Sequence, residues 1–190
     1  MNLSYVWNMK KTIYLLAGAL FFVGCGALEE KTKNKVAIEQ LLEQFIACKE
    51  ANSDERRACK QYTSEAICKY NGISDFENSD GTYLEYQDLF VAITDSPHWN
   101  FLGTADDQDV LDNAQDLANR GFPVVCIDAK DKHKFAVLIV EGELSNSKKW
   151  GLKCPNSAAF FPSKRPEPYI NKTLNYAFKN PKGLEIFVKK

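Results

Sequence analysis

The chain has 190 residues, 24 of them basic and 25 acidic, a net charge of −1 and 45% hydrophobic residues. The charge balance offers no basic patch of the kind that binds nucleic acid, and the apolar and aromatic content excludes a disordered chain. The length allows one domain with a sizeable core once any leader is removed.

The N-terminus has three parts. Lys10 and Lys11 form a basic head, Thr12 to Val23 is an uncharged apolar run, and Gly24-Cys25 follows. A basic head, a short apolar run and a small residue at the break describe a secretory signal. The run is about a dozen residues, short of the roughly 20 needed to span a bilayer as a helix. Phe22-Val23-Gly24-Cys25 resembles the bacterial lipobox, with Phe22 in place of the usual Leu. That resemblance implies cleavage after residue 24 and lipidation of Cys25. Met9 is expected to be the natural start.

Residues 26–35 read as a polar tether, and residues 36–190 as a single domain. Five cysteines remain besides Cys25: Cys48, Cys59, Cys68, Cys126 and Cys154. Export brings oxidising conditions, so disulfides are permitted, and an odd count leaves one thiol over if two bonds form.

Ile38, Leu41, Leu42, Phe45 and Ile46 recur at helical spacing within Val36 to Glu50. Asn52-Ser53-Asp54 breaks that helix and can cap a second, which runs to about Tyr70 before the stop at Asn71-Gly72. A third helix is expected over Tyr83 to Thr94. A fourth is expected over Asp107 to Asn119, with Gly121 as its stop. The pattern then changes to strands: Pro123 to Ile127, Lys134 to Val140, Trp150 to Cys154 and Leu184 to Val188. Ser145-Asn146-Ser147 reads as part of a turn. Helices first and strands later predict an α+β fold with a mostly antiparallel sheet.

A thiol becomes a nucleophile when it ionises, and a helix N-terminus or a nearby imidazole favours the thiolate. Cys59 follows Arg56 and Arg57 near the start of the second helix. The two histidines are His98, in a loop, and His133, before the Lys134 strand. A helical cysteine, then a histidine on a strand, then a further polar residue resembles the NlpC-type and CHAP-type cysteine amidases. Cys59-Lys60-Gln61-Tyr62, Ala66-Ile67 and Asn71-Gly72-Ile73 are similar to their cysteine helix. Leu117-Ala118-Asn119, Gly121 and Pro123-Val124-Val125 are similar to the helix and strand that follow. His133 with Ala136 to Val140, Trp150-Gly151, Pro155-Asn156 and Asn175-Tyr176-Ala177-Phe178 extend the likeness over about Ala58 to Phe178.

The resemblance implies a papain-like fold, N-terminal helices on a small antiparallel sheet, and a peptidoglycan stem peptide as substrate. Cys59 would attack an amide carbonyl, His133 would take and return a proton, and Asn156 would orient the imidazole. No metal or cofactor is implied. With Cys59 kept free, Cys48 would pair with Cys68 and Cys126 with Cys154. The pairing Cys48–Cys59 suits a structural scaffold equally well.

Two positions depart from the family's pattern. Lys60 replaces the usual Asn after the cysteine. His133 lies three residues before Ala136 rather than two, which turns it to the other face of the strand. A bulge restores it, or Phe135 takes the alanine's place, or the site has decayed. Two functions are therefore carried forward. One is a lipid-anchored amidase. The other is a non-catalytic envelope lipoprotein that binds cell wall or a protein partner. Gly26 is not the Asp that retains enteric lipoproteins at the inner membrane, so a host with two membranes implies the outer membrane, facing the periplasm.

Overall fold

A computed structural model describes residues 34–52, 59–131, 134–162 and 167–190. The chain divides into a unit of residues 1–36 and a unit of residues 37–190, and the fold described is that of the second. Cys25, the signal segment, Ser53-Asp54 and His133 lie outside the described residues.

Helix α1 spans 34–51, so helix begins inside the expected tether. Its stripe of Ile38, Leu41 and Phe45 is buried. Phe45 meets Tyr62 at 5.2 Å and Phe160 at 5.7 Å between ring centroids. Each such buried side chain contributes about 1.5–3 kcal/mol. Helix α2 spans Tyr62–Asn71 and ends on Gly72 in the left-handed conformation, φ 65°. Helix α3 is Leu89–Thr94, shorter than expected. Glu77 and Tyr83 form an isolated antiparallel bridge, which takes Tyr83 out of the helix. Helix α4 spans Gln108–Asn119, and the Asp107 side chain caps it by accepting from the Asp109 N–H. That acceptor satisfies one of the free donors at a helix start.

The fold is α+β, as expected from the order of elements. The strands are β1 Trp99–Thr104, β2 Val124–Asp128, β3 Ala136–Ile139, β4 Ser145–Ser147, β5 Leu152–Cys154, β6 Asn156–Ala159, β7 Tyr169–Thr173 and β8 Leu184–Lys189. Six form one sheet in the order β1-β8-β2-β3-β6-β7, and β4 pairs with β5 in a separate ribbon. Every pairing is antiparallel. Strands β1, β6 and β7 were not expected, and the expected turn at Ser145–Ser147 is strand β4.

Both faces of the sheet are covered. Val125, Ile127, Ala136, Leu138, Ala158 and Phe187 join the core that holds α1 and α2. Their neighbours Val124, Cys126, Val137, Ile139, Ala159 and Ile186 join the core that holds α4. Alternate residues of a strand point to opposite faces, so a sheet buried on both sides reads as unbroken apolar runs. That is why Pro123 to Ile127 and Lys134 to Val140 lack polar alternation.

Candidate functional site

Cys59 lies three residues before α2, with its backbone in the left-handed region at φ 64°. Its sulfur is bonded to that of Cys48 on α1, with the two Cα atoms 6.1 Å apart. The bond ties the end of α1 to the turn that leads into α2. It also corrects two expectations. Cys59 has no thiol to ionise, so in this state it is no nucleophile. The pairings Cys48–Cys68 and Cys126–Cys154 are not formed.

Cys68, Cys126 and Cys154 are free and buried. Burial pushes the Cys68 thiol up to about 11, opposed by a hydrogen bond with the Phe76 backbone. Burial also raises Cys126 and Cys154, the latter against hydrogen bonds from Ser147 and the Asn175 backbone. A thiol shifted this way stays protonated and inert, so none replaces Cys59 as a nucleophile.

The turn after Cys59 is held firmly. Lys60 Nζ and Glu85 Oε2 lie 2.5 Å apart, and the Lys60 carbonyl accepts from the Tyr86 N–H at 3.1 Å. The Tyr86 ring stacks on Phe135 at 5.2 Å and 16°. Tyr86 therefore links the start of α2 to the N-terminal end of β3. Burial raises the Tyr86 phenol, partly offset by Lys60. The ring contacts continue, tilted between Phe135 and Phe161 at 5.0 Å and edge-on between Phe161 and Phe178 at 6.1 Å.

The residue two before Ala136 is Lys134, at φ 50°. Its ammonium donates to the Ala129 carbonyl and sits 4.8 Å from the centroid of Phe90, a ring packed on the core of α1 and α2. A lysine thus occupies the position where the amidase pattern has its histidine. Phe135 touches both cores. His98 is exposed; its carbonyl accepts from the Lys190 N–H.

Asn156 does not act at this corner. The Val140 N–H donates to its carbonyl at 3.0 Å, at the opposite end of β3 from Lys134. A strand rises about 3.3 Å per residue, so the two positions are roughly a strand length apart. Asn156 instead belongs to a structural network. Its N–H donates to Gln115 Oε1 at 2.7 Å, and its Nδ2 donates to the Glu141 carbonyl at 2.8 Å and to Asn171 Oδ1 at 3.2 Å. Gln115, 3% exposed, donates to the Val140 carbonyl and to Asn119 Oδ1, both at 3.0 Å. Asn119 in turn brackets Gly142 by bonds to its N–H and its carbonyl. A network of this kind, anchored on the buried Gln115, fixes the geometry of the chain segments it joins. Gln115 was its signal in the sequence, an amide among Leu111, Ala114 and Ala118.

A cleft of about 960 Å³ opens by the N-terminal end of β3. Phe135, Phe161, Phe178 and Tyr176 line it, and Cys59 does not. Its size falls within the range of ligand pockets, about 300–1,000 Å³. Nothing in the sequence pattern marked it, because its lining comes from segments distant in the chain. Among the described residues no group of three or more His, Cys, Asp or Glu side chains is placed to hold a metal ion. No helix among them is long and apolar enough to cross a membrane. No protein-family model matches the chain, and no curated protein matches it.

Proposed function

We propose that this chain is a lipid-anchored protein of the bacterial cell envelope whose domain binds cell wall without cleaving it. One observation carries the non-catalytic reading: Cys59 is spent in a disulfide with Cys48. Lys134 and the Tyr86–Phe135 stack support it, because the lysine ammonium is engaged with the Ala129 carbonyl and the two rings are engaged with each other. The basic head, apolar run and Gly24-Cys25 support export and anchoring, with Cys25 holding the lipid and the outer membrane as its location in a host with two membranes. The order of a cysteine before a helix and an antiparallel sheet behind it supports descent from a papain-like amidase fold.

The amidase itself is the second reading. It is favoured by the place of Cys59, just before α2 and joined through Tyr86 to the end of β3 that follows His133. In that reading, reduction of the Cys48–Cys59 bond releases the nucleophile for attack on a stem-peptide amide. Both readings are tested by incubating the purified domain and its Cys59→Ser variant with peptidoglycan, with and without reductant. The binding reading expects sedimentation with the wall and no muropeptide release in any arm. Release by the reduced wild type alone would overturn it in favour of the amidase. Radiolabelled palmitate should enter the full-length protein in cells and be lost in Cys25→Ala; retained label would refute the anchor.

A further inference from the structure

Strand β1 is one edge of the six-stranded sheet, and among the described residues no strand pairs with its outer side. Bonding residues alternate along an antiparallel ladder. The Lys190 N–H donates to the His98 carbonyl at 3.0 Å. His98 and Asn100 therefore turn their backbone groups toward β8, and Phe101 turns its N–H and carbonyl outward. The register with β8 slips only beyond Phe101. No described residue outside the sheet bonds to the Phe101 backbone. The Phe101 side chain is 56% exposed. Its ring lies 5.6 Å from that of Phe187, which Phe90 of α3 meets edge-on at 6.4 Å. The strand itself, Trp99-Asn100-Phe101-Leu102-Gly103-Thr104, holds no charge and no proline. Edge strands are usually blunted by charges, prolines or bulges against pairing with another chain; β1 has only the slip after Phe101. The opposite edge is better protected, since β7 carries Lys172 and holds Asn171 at φ 60°.

We infer that β1 is a pairing edge for a second copy of this chain, joined antiparallel about a two-fold axis at Phe101. Two facing Phe101 residues exchange both hydrogen bonds, the N–H of each donating to the carbonyl of the other. The same register brings their exposed rings together on one face, the unit by which paired strands gain stability. Charge at the strand ends selects both the partner and its direction. His98 and Lys190 lie at one end, and Asp106 and Asp107 follow the other, all four exposed. Antiparallel pairing sets each basic end toward the acidic end of the other copy, whereas parallel pairing sets like charge against like. A β1-to-β1 contact is also closed by its symmetry, while β1 against β7 would propagate as a filament. This surface is independent of both functional readings and uses neither Cys59 nor the cleft beside Phe135.

The test is sedimentation equilibrium on the mature chain carrying Cys25→Ser, which leaves every described residue in place. A reversible dimer is expected, with a dissociation constant on the order of tens of micromolar, as suits an interface at the small end of the size range. Added salt should weaken it by screening the paired ends. Phe101→Lys, checked for native circular dichroism, places like charges opposite each other and should weaken the dimer about tenfold or more. Cross-linking gives a second measurement. Under mild oxidation Phe101→Cys should form a covalent dimer much faster than Lys172→Cys, which puts the thiol on the other edge. A chain that stays monomeric to about 1 mM, well above that range, would overturn the inference. So would a dimer indifferent to Phe101→Lys, equal cross-linking from the two edges, or growth past the dimer into open assemblies.

Discussion

Reduction of the Cys48–Cys59 bond should destabilise the domain by an amount set by the loop it closes. The cysteines are 11 residues apart. On the chain-entropy account, a loop of that length raises stability by about 3 kcal/mol by restricting the unfolded chain. For a domain of this size, each kcal/mol moves the melting temperature by about 2–4 °C, so reduction should lower it by about 6–12 °C. The measurement is thermal unfolding by circular dichroism with and without reductant, repeated on Cys48→Ser with Cys59→Ser, which should melt low in both conditions. Thiol titration gives the independent check. The folded oxidised protein should expose no reactive thiol, since Cys68, Cys126 and Cys154 are buried, and should show them only on unfolding. A native protein that reacts at once, a linkage mapped to any other pair, or an unchanged melt after verified reduction would refute the reasoning.

Gln115→Ala should cost about 2–4 kcal/mol, because it leaves the Val140 carbonyl and the Asn156 N–H without their partner; denaturant unfolding measures it, and a loss under about 0.5 kcal/mol, the range of neutral surface changes, would deny the network its structural role. Stability should fall as the solution is made alkaline. Burial raises Cys68 to about 11 and also raises Cys126 and Tyr169, whereas an unfolded thiol ionises near 8.5 and an unfolded phenol near 10. Above those values the unfolded chain sheds protons that the folded chain keeps, so the contribution is complete below about pH 8 and is lost as pH rises through the folded values. Unfolding midpoints between pH 7 and 11 measure this; a flat profile would contradict the burial of these groups.

Helices α1 and α4 and the apolar strands β2, β3 and β8 were legible because their pattern is a direct image of burial. Ile38, Leu41 and Phe45 mark one stripe of α1, and Leu111, Ala114 and Ala118 mark one stripe of α4. Strands β6 and β7 escaped detection for physical reasons. β6 is Asn156-Ser157-Ala158-Ala159, with no β-branched residue, and its place in the sheet comes from neighbours: Leu138 and Ile139 on one side and Ile170 and Tyr169 on the other. Its buried Ser157 is made tolerable by hydrogen bonds to the Tyr169 hydroxyl at 2.9 Å and the Lys172 carbonyl at 2.8 Å. Strand β1 was hidden by Gly103 at φ 144°, where the register with β8 shifts and an added Cβ would lie 2.5 Å from Val110 Cγ2. Close approach of α4 requires glycine there, and a glycine inside a short strand reads as a loop.

The candidate site shows a different boundary between sequence and structure. Residue type and chain order pointed to Cys59, and the fold does set it just before a helix and join it through Tyr86 to the sheet. Chain order could not decide its oxidation state, because that depends on which cysteine α1 presents to it, and Cys48 competes with every other partner through geometry alone. Chain order likewise could not fix the register of Asn156. Its position after a strand fits an orienting residue, but its register places it beside Val140, a strand length from Lys134. The one-residue excess before Ala136 proved the most informative feature of the sequence. Lys134 stands just outside β3 with its ammonium over Phe90, and the neighbouring Phe135 bridges the two cores and lines the cleft. The same stretch of chain that sets Lys134 two residues before Ala136 sets Phe135 where it meets Tyr86 and lines the cleft.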